Sequence, residues 1–276
     1  MQYCFPRLFE IVLNSYLRGD IIMENKNKSV SSNVPVSTAS TEGLPPTVTA
    51  ENTEYIKAFH IYDKALIELK ELLEDDLSEE KQLLKFNIRI RINLSLKPTF
   101  SEQYGYLKSE KQIKIYNLFY KLVDTWFVYE VIKSLDTSVD NYYDTLKLLS
   151  GSDARDIVKS FNKQFEERII KITKREEDML SYLDHLCEIC SQQSLINRLE
   201  KLKTNVEQKI GINHDQIIAL VYAVRVAYVH KSDTAKAGVN NYETKIQLLS
   251  LLYEYLIEFM LKAATNVIKK KIAEVS

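Results

Sequence analysis

After Pro98 this chain of 276 residues contains no further proline, and beyond residue 50 its glycines are confined to Gly105, Gly151, Gly211 and Gly238. Proline and glycine are the strongest breakers of regular structure. Their scarcity predicts long helices separated by a few well-marked breaks, because a strand-rich fold of this length would need many more turns. The apolar spacing agrees. Ile56, Phe59, Ala65, Leu66, Leu69 and Leu73 recur at intervals of three and four, as on one face of a helix. Similar stripes run through 113–135, 157–172, 179–190 and 195–206. No internal repeat of fixed period is visible. The expected fold class is all-α, a helical bundle.

The apolar and charged fractions, 45% and 27%, are those of an ordinary globular chain. Lys plus Arg, 37, nearly equals Asp plus Glu, 38, so no strong overall field draws in nucleic acid or an anionic surface. Any nucleic-acid contact must therefore be local, and DNA is not expected as a partner. Three cysteines do not make a disulfide framework, which fits a reducing, cytoplasmic setting. No window approaches a membrane span, since Arg225, Glu254 and Glu258 interrupt the best candidates.

Between Glu24 and about Ala50 the composition shifts to Ser, Thr, Asn, Val and Pro, including Pro45 and Pro46. A disordered tail over 1–50 is expected. Residues 1–22 lack the frame of a secretory signal, and Met23 opens a new polar stretch; synthesis is expected to start there, with 1–22 untranslated. A break near Gly151 is the expected boundary between an N-terminal helical region, 51–150, and a C-terminal one, 151–276. One continuous domain is the alternative.

The best-specified segment begins at Ile212. Asn213 followed by Gln216 has capping-box spacing, Asp215 suits the positive end of a helix, and Ile212 with Ile217 can form a hydrophobic staple. A helix is expected from His214. From Ile217 to Val229 it is apolar on nearly every side except at Arg225, so it should be buried. A guanidinium in such a place needs acceptors or an opening to solvent, because burying it alone costs several kcal/mol. His230 follows five residues later, where Lys231, Ser232 and Asp233 stop the helix and the last carbonyls favour an imidazolium. A five-residue step turns an ideal helix by roughly 140°. A site that uses both side chains is therefore easier to build if the helix end unwinds or if a second copy lies alongside. Asn240 and Glu243 repeat the capping-box spacing and are expected to open a last helix, to about Ile272 and roughly 45 Å long.

Arg225-Val-Ala-Tyr-Val-His230, closing an apolar helix ahead of a polar loop and a long final helix, resembles the HEPN superfamily, whose signature is Arg, about four to six residues, then His. The resemblance covers roughly the last hundred residues. It implies an α-helical bundle whose homodimer brings two Arg/His pairs to one groove, where active members cleave RNA without metal or cofactor, often in stress or phage defence. Carried over, His230 would be general acid or base toward the ribose 2′-hydroxyl or the leaving 5′-oxygen, and Arg225 would neutralise the scissile phosphate. Many active relatives carry a polar residue directly after the Arg; here Val226 stands there. The alternative is a non-catalytic helical module for interaction or nucleotide binding.

Tyr222 and Tyr228 flank Arg225 and could stack bases, with Lys231 as a phosphate contact, although packing is the competing role for both rings. His185, Cys187 and Cys190, with His214 as a conceivable fourth ligand, could hold a metal. Small buried thiols are the simpler reading, and no metal is expected. His60, in the first helix, reads as a surface or partly buried packing residue. Arg89 and Arg91 read as a solvated face rather than an RNA-contacting patch, and Lys269, Lys270 and Lys271 as too short a basic run to mark a partner.

Overall fold

The computed structural model describes residues 53–74, 77, 78, 80–99, 109–136 and 139–276. The expected tail over 1–50, the alternative start at Met23 and Cys4 lie outside the described residues. Among the described residues every regular element is helical: α1 (Thr53–Leu72), α2 (Lys81–Ser95), α3 (Glu110–Lys133), α4 (Gly151–Phe165), α5 (Thr173–Ile189), α6 (Gln193–Glu207), α7 (His214–Lys231) and α8 (Tyr242–Val275). A short 3₁₀ helix, Tyr142–Leu148, precedes α4, and one π turn, Glu166–Ile170, follows it. The apolar stripes correspond to α1, α3, α4 with its π turn, α5 and α6.

The closing helix α8 is the axis of the packing. Helices α1, α3, α4 and α5 all pack against it, so elements from both sides of Gly151 share one core, and the described residues form one compact unit. From Thr244 to Leu261 most side chains of α8 are buried, including Leu252, Leu256, Ile257 and Met260 at 0% exposure. Such a helix is stabilised mainly by the apolar area it removes from water on all sides rather than by its own propensity. Gly151 itself starts α4, with Ser150 as N-cap accepting from Asp153 N.

Two boundaries differ from expectation. The N-cap of α8 is Asn241 rather than Asn240, with its side chain accepting from Glu243 N at 2.9 Å. The reason lies in α5: buried Asp178 accepts from the backbone N–H groups of Asn240 and Asn241 at 2.8 and 3.0 Å and from the Thr244 hydroxyl at 3.0 Å. The carboxylate fixes where the chain turns, and the helix starts one residue later. α8 also runs on to Val275.

No helix among the described residues is long and apolar enough to cross a membrane.

Candidate functional site

Helix α7 begins as its sequence requires. Asn213 Oδ1 accepts from Gln216 N, and Gln216 Oε1 accepts from Asn213 N, both at 3.1 Å, so two otherwise unpaired donors are satisfied reciprocally. Neighbouring elements hold this end from outside. Asn162 of α4 donates to Ile212 O at 2.7 Å and accepts from Ile212 N at 2.6 Å, and Asn205 of α6 donates to Gln216 Oε1 at 3.1 Å. His214 is buried among polar partners: Nε2 lies 2.9 Å from Thr145 Oγ1, and Nδ1 lies 2.7 Å from Tyr255 Oη. A neutral imidazole has one donor and one acceptor, and both are used. Burial pushes its proton affinity down to about 3, so His214 stays uncharged and is a packing group.

The other end of α7 is closed differently. Ser232 adopts the left-handed conformation at φ 54° and ψ 41°, and Asp233 N donates back to Ala227 O at 3.0 Å, the pairing that ends many helices. Asp233 then turns inward, fully buried. Its carboxylate accepts from Tyr182 Oη at 3.0 Å and faces Lys245 Nζ at 3.2 Å. Lys245, itself at 0% exposure, also donates to the carbonyls of Thr234 at 2.7 Å and Ala237 at 2.9 Å, and lies 4.3 Å from the centre of the Tyr182 ring. Burial pulls the Lys245 ammonium down to about 8 against the opposing pull of Asp233. His185 Nε2 sits 3.5 Å from Asp233 Oδ1 with no hydrogen-bond partner, near enough for attraction if protonated. Gly238 completes the loop at φ +69°; a Cβ there would lie 2.8 Å from Tyr182 Cδ2 and 2.9 Å from His185 Cβ.

The motif side chains lie at and just before this anchored end. Arg225 is half-buried on α7, with its guanidinium carbon 5.6 Å from the centre of the Phe127 ring on α3. Its Nε is buried without a hydrogen-bond partner, and no carboxylate among the described residues pairs with it. The Tyr142 phenol is raised by burial first and then by Glu130 and Tyr222, against a smaller lowering by the Arg225 charge. His230 and Lys231 are exposed. Because α7 stays helical through Lys231, Arg225 and His230 keep the angular separation of a five-residue step. The helix end does not unwind to join them.

The two flanking tyrosines are engaged by α3. Tyr228 stacks on Phe119 at 4.5 Å and 11°, with Tyr116 and Tyr120 at 6.3 and 5.8 Å. Tyr222 lies 5.1 Å from Trp126. One face of each ring is thus occupied within the chain. Outside these contacts Val229 of α7 and Phe127 and Tyr120 of α3 remain 42%, 39% and 49% exposed.

The remaining candidates are dispersed. His185 faces Asp233, while Cys187 is half-buried and Cys190 is buried with its thiol pushed up to about 11. Among the described residues no group of three or more His, Cys, Asp and Glu is placed to hold a metal ion. Arg89 and Arg91 lie roughly 200° apart around α2, so they make no common patch. Arg91 pairs with Asp63 and donates from Nε to Asn87 Oδ1 at 2.9 Å. Lys271 donates to Glu80 at 2.6 Å, and Lys270 lies 3.8 Å from Asp136. His60 is exposed.

Sequence reasoning missed the Asp233–Lys245 cluster. Lys245 stands in the first turn of α8 beside Glu243, Thr244 and Gln247, a polar setting unlike that of Arg225 on α7, so no local pattern marks it as a buried cation. No family model matches the chain, and no curated protein or solved structure matches it.

Proposed function

We propose that this chain is a metal-independent endoribonuclease of the HEPN type that acts as a homodimer. The observation that carries the reading is an exposed His230 together with an Arg225 whose Nε has no acceptor among the described residues, at one end of an otherwise apolar helix. A guanidinium left without a carboxylate is suited to an anion supplied from outside, and a phosphodiester is such an anion. Within one chain the two side chains diverge, so the groove is built from two copies of α7, each giving its Arg and His. Exposed Tyr120 and Phe127 on α3 and Val229 on α7 offer apolar area for that contact.

In this reading one His230 takes the proton of a ribose 2′-hydroxyl as its oxygen attacks phosphorus. The bond to the 5′-oxygen breaks, and that oxygen takes a proton from the other His230. Arg225 neutralises the charge that grows on the phosphoryl oxygens. The products are a 2′,3′-cyclic phosphate and a 5′-hydroxyl. The 2′-hydroxyl requirement restricts the substrate to RNA. The setting is stress or phage defence in the cytoplasm.

One observation favours a second reading, a non-catalytic interaction module on the same helices. Val226, half-buried, stands where a polar residue would help orient the site. The two readings part in an RNA cleavage assay in EDTA. Arg225→Ala and His230→Ala are each expected to lower the rate by about 100-fold or more. Equal cleavage by wild type and both variants would overturn the assignment.

A further inference from the structure

An open cleft of about 460 Å³ lies between α1, α2, α3 and α8. The volume is within the range of about 300–1,000 Å³ typical of small-molecule sites. Its lining joins two chemistries. Ile56, 42% exposed, and Leu94 give it apolar surface, while Lys121 and Tyr55 bring an ammonium and a phenol. Neither Asp nor Glu lines it. Acids on the surrounding helices are engaged with other groups: Glu54 with Lys57 at 2.8 Å, Asp63 with Arg91, Asp124 with the Asn93 amide at 2.8 Å, and Glu254 with Arg168 at 3.2 Å. Arg91 also lines the cleft, but it is bonded to Asp63 and Asn87 and lies 5.3 Å from the centre of the Phe59 ring, so that cation and that ring face are already occupied. Lys121 differs. Its Nζ rests 5.4 Å from the centre of the Tyr253 ring, and no carboxylate among the described residues pairs with it.

We propose that this cleft binds a small apolar carboxylic acid, with its carboxylate on Lys121 and Tyr55 and its hydrocarbon part against Ile56 and Leu94. Burial, and then the neighbouring charge of Lys97, lower the proton affinity of Lys121. An arriving anion offsets both effects, which favours a negative ligand over a neutral one and excludes a cation. Burial, and then Glu254, raise the Tyr55 phenol, so it keeps its proton and can donate to an oxyanion. One ammonium balances one negative charge. A carboxylate carries one, whereas a phosphate would bring charge that nothing in the cleft neutralises. The apolar part of the ligand removes Ile56 and Leu94 from water, a gain that an inorganic anion cannot make. The proposal stands apart from RNA cleavage, since none of its residues is Arg225 or His230.

Titration calorimetry of the purified full chain tests it, with hexanoate, hexanol, hexylamine and inorganic phosphate as probes. Hexanoate is expected to bind more tightly than the other three, since it alone joins a negative charge to an apolar chain. Lys121→Gln is expected to weaken hexanoate by about tenfold, the size of one charge-assisted contact, and Tyr55→Phe by about fivefold, the size of one neutral hydrogen bond. Ser95→Glu, at an exposed position lining the cleft, places a carboxylate there without disturbing the core and is expected to weaken hexanoate by about tenfold as well. Lys159→Gln, exposed on α4, makes the same charge change elsewhere and leaves binding intact. Absence of saturable hexanoate binding by wild type overturns the proposal. So does phosphate, hexanol or hexylamine binding as tightly as hexanoate, or equal hexanoate affinity in Lys121→Gln, Ser95→Glu and Lys159→Gln.

Discussion

α7 carries a histidine near each end, and the two differ in almost every respect. His214, the first residue, is sealed between Thr145 and Tyr255 with both ring nitrogens occupied. His230, the last but one, is exposed and makes no polar contact among the described residues. Yet the chain is pinned at both places. The N-terminal end is fixed by a reciprocal cap and two asparagines, the C-terminal end by the Asp233–Lys245 pair one turn of loop away. The difference teaches that the position of His230 is secured by neighbours rather than by contacts of its own. Its imidazole is left available for a partner from outside, whereas that of His214 is spent on the fold.

The sharpest way to break this comparison is to cut the C-terminal anchor. Asp233→Ala leaves the Lys245 ammonium at 0% exposure with two carbonyls and no countercharge. Breaking a buried ion pair from one side costs about 3–5 kcal/mol. Urea denaturation should show a loss of that size, and the double variant Asp233→Ala with Lys245→Met should recover part of it, since removing both charges also removes the uncompensated one. A loss near zero in the single variant would mean that the loop is not anchored there. The position of His230 would then need another explanation.

The N-terminal histidine is tested by pH. Its folded proton affinity, about 3, lies below the ordinary value of 6.5, so between those values the unfolded chain binds a proton that the folded chain does not. The neutral, buried form therefore contributes its full stability above pH 6.5, and this contribution is lost as pH falls toward 3. The slope reaches about 1.4 kcal/mol per pH unit. His214→Gln keeps a donor and an acceptor without a titrating group and should flatten the dependence of the denaturation midpoint between about pH 6.5 and 5. An unchanged slope would show that the ring is not held neutral. The same substitution at His230 is expected to change cleavage and leave folding stability within about 0.5 kcal/mol, as at other exposed positions.

How far these roles could be read from the sequence follows from the range of the interactions involved. The start of α7 was legible because a capping box is local: Asn213 and Gln216 satisfy each other three residues apart. The long apolar stripes were legible because a helix buries residues at fixed spacing, and α1, α3 and α5 fall where the stripes lie. The start of α8 was displaced by one residue because Asp178, more than sixty residues earlier, takes the backbone N–H groups of Asn240 and Asn241. No spacing rule sees so distant a carboxylate. The 3₁₀ helix that brings Thr145 to His214 went unread for the same reason, since its purpose lies 69 residues away. At the candidate site the need of Arg225 for an opening or acceptors was visible from its apolar neighbours. That Phe127 would meet it, and that Phe119 and Trp126 would meet Tyr228 and Tyr222, depends on how α3 docks on α7.

The smallest effect is the most informative about His230. Ser232, the residue between Lys231 and the buried Asp233, holds φ at 54°, where a side chain is strained and glycine is not. Ser232→Gly should therefore relieve local strain. Set against this is the extra freedom glycine gains in the unfolded chain, which costs about 0.4–1 kcal/mol. The left-handed penalty for a residue with a Cβ is about 1–2 kcal/mol, so relief wins and the net gain is about 0.5–1 kcal/mol, measurable as a raised denaturation midpoint. If His230 is positioned by the Asp233–Lys245 anchor, this variant keeps wild-type RNA cleavage, because the hydrogen bond from Asp233 N to Ala227 O and the ion pair both survive it. Loss of cleavage with stability gained would place the control of His230 in the Ser232 turn instead, and the anchor would be a feature of the fold alone.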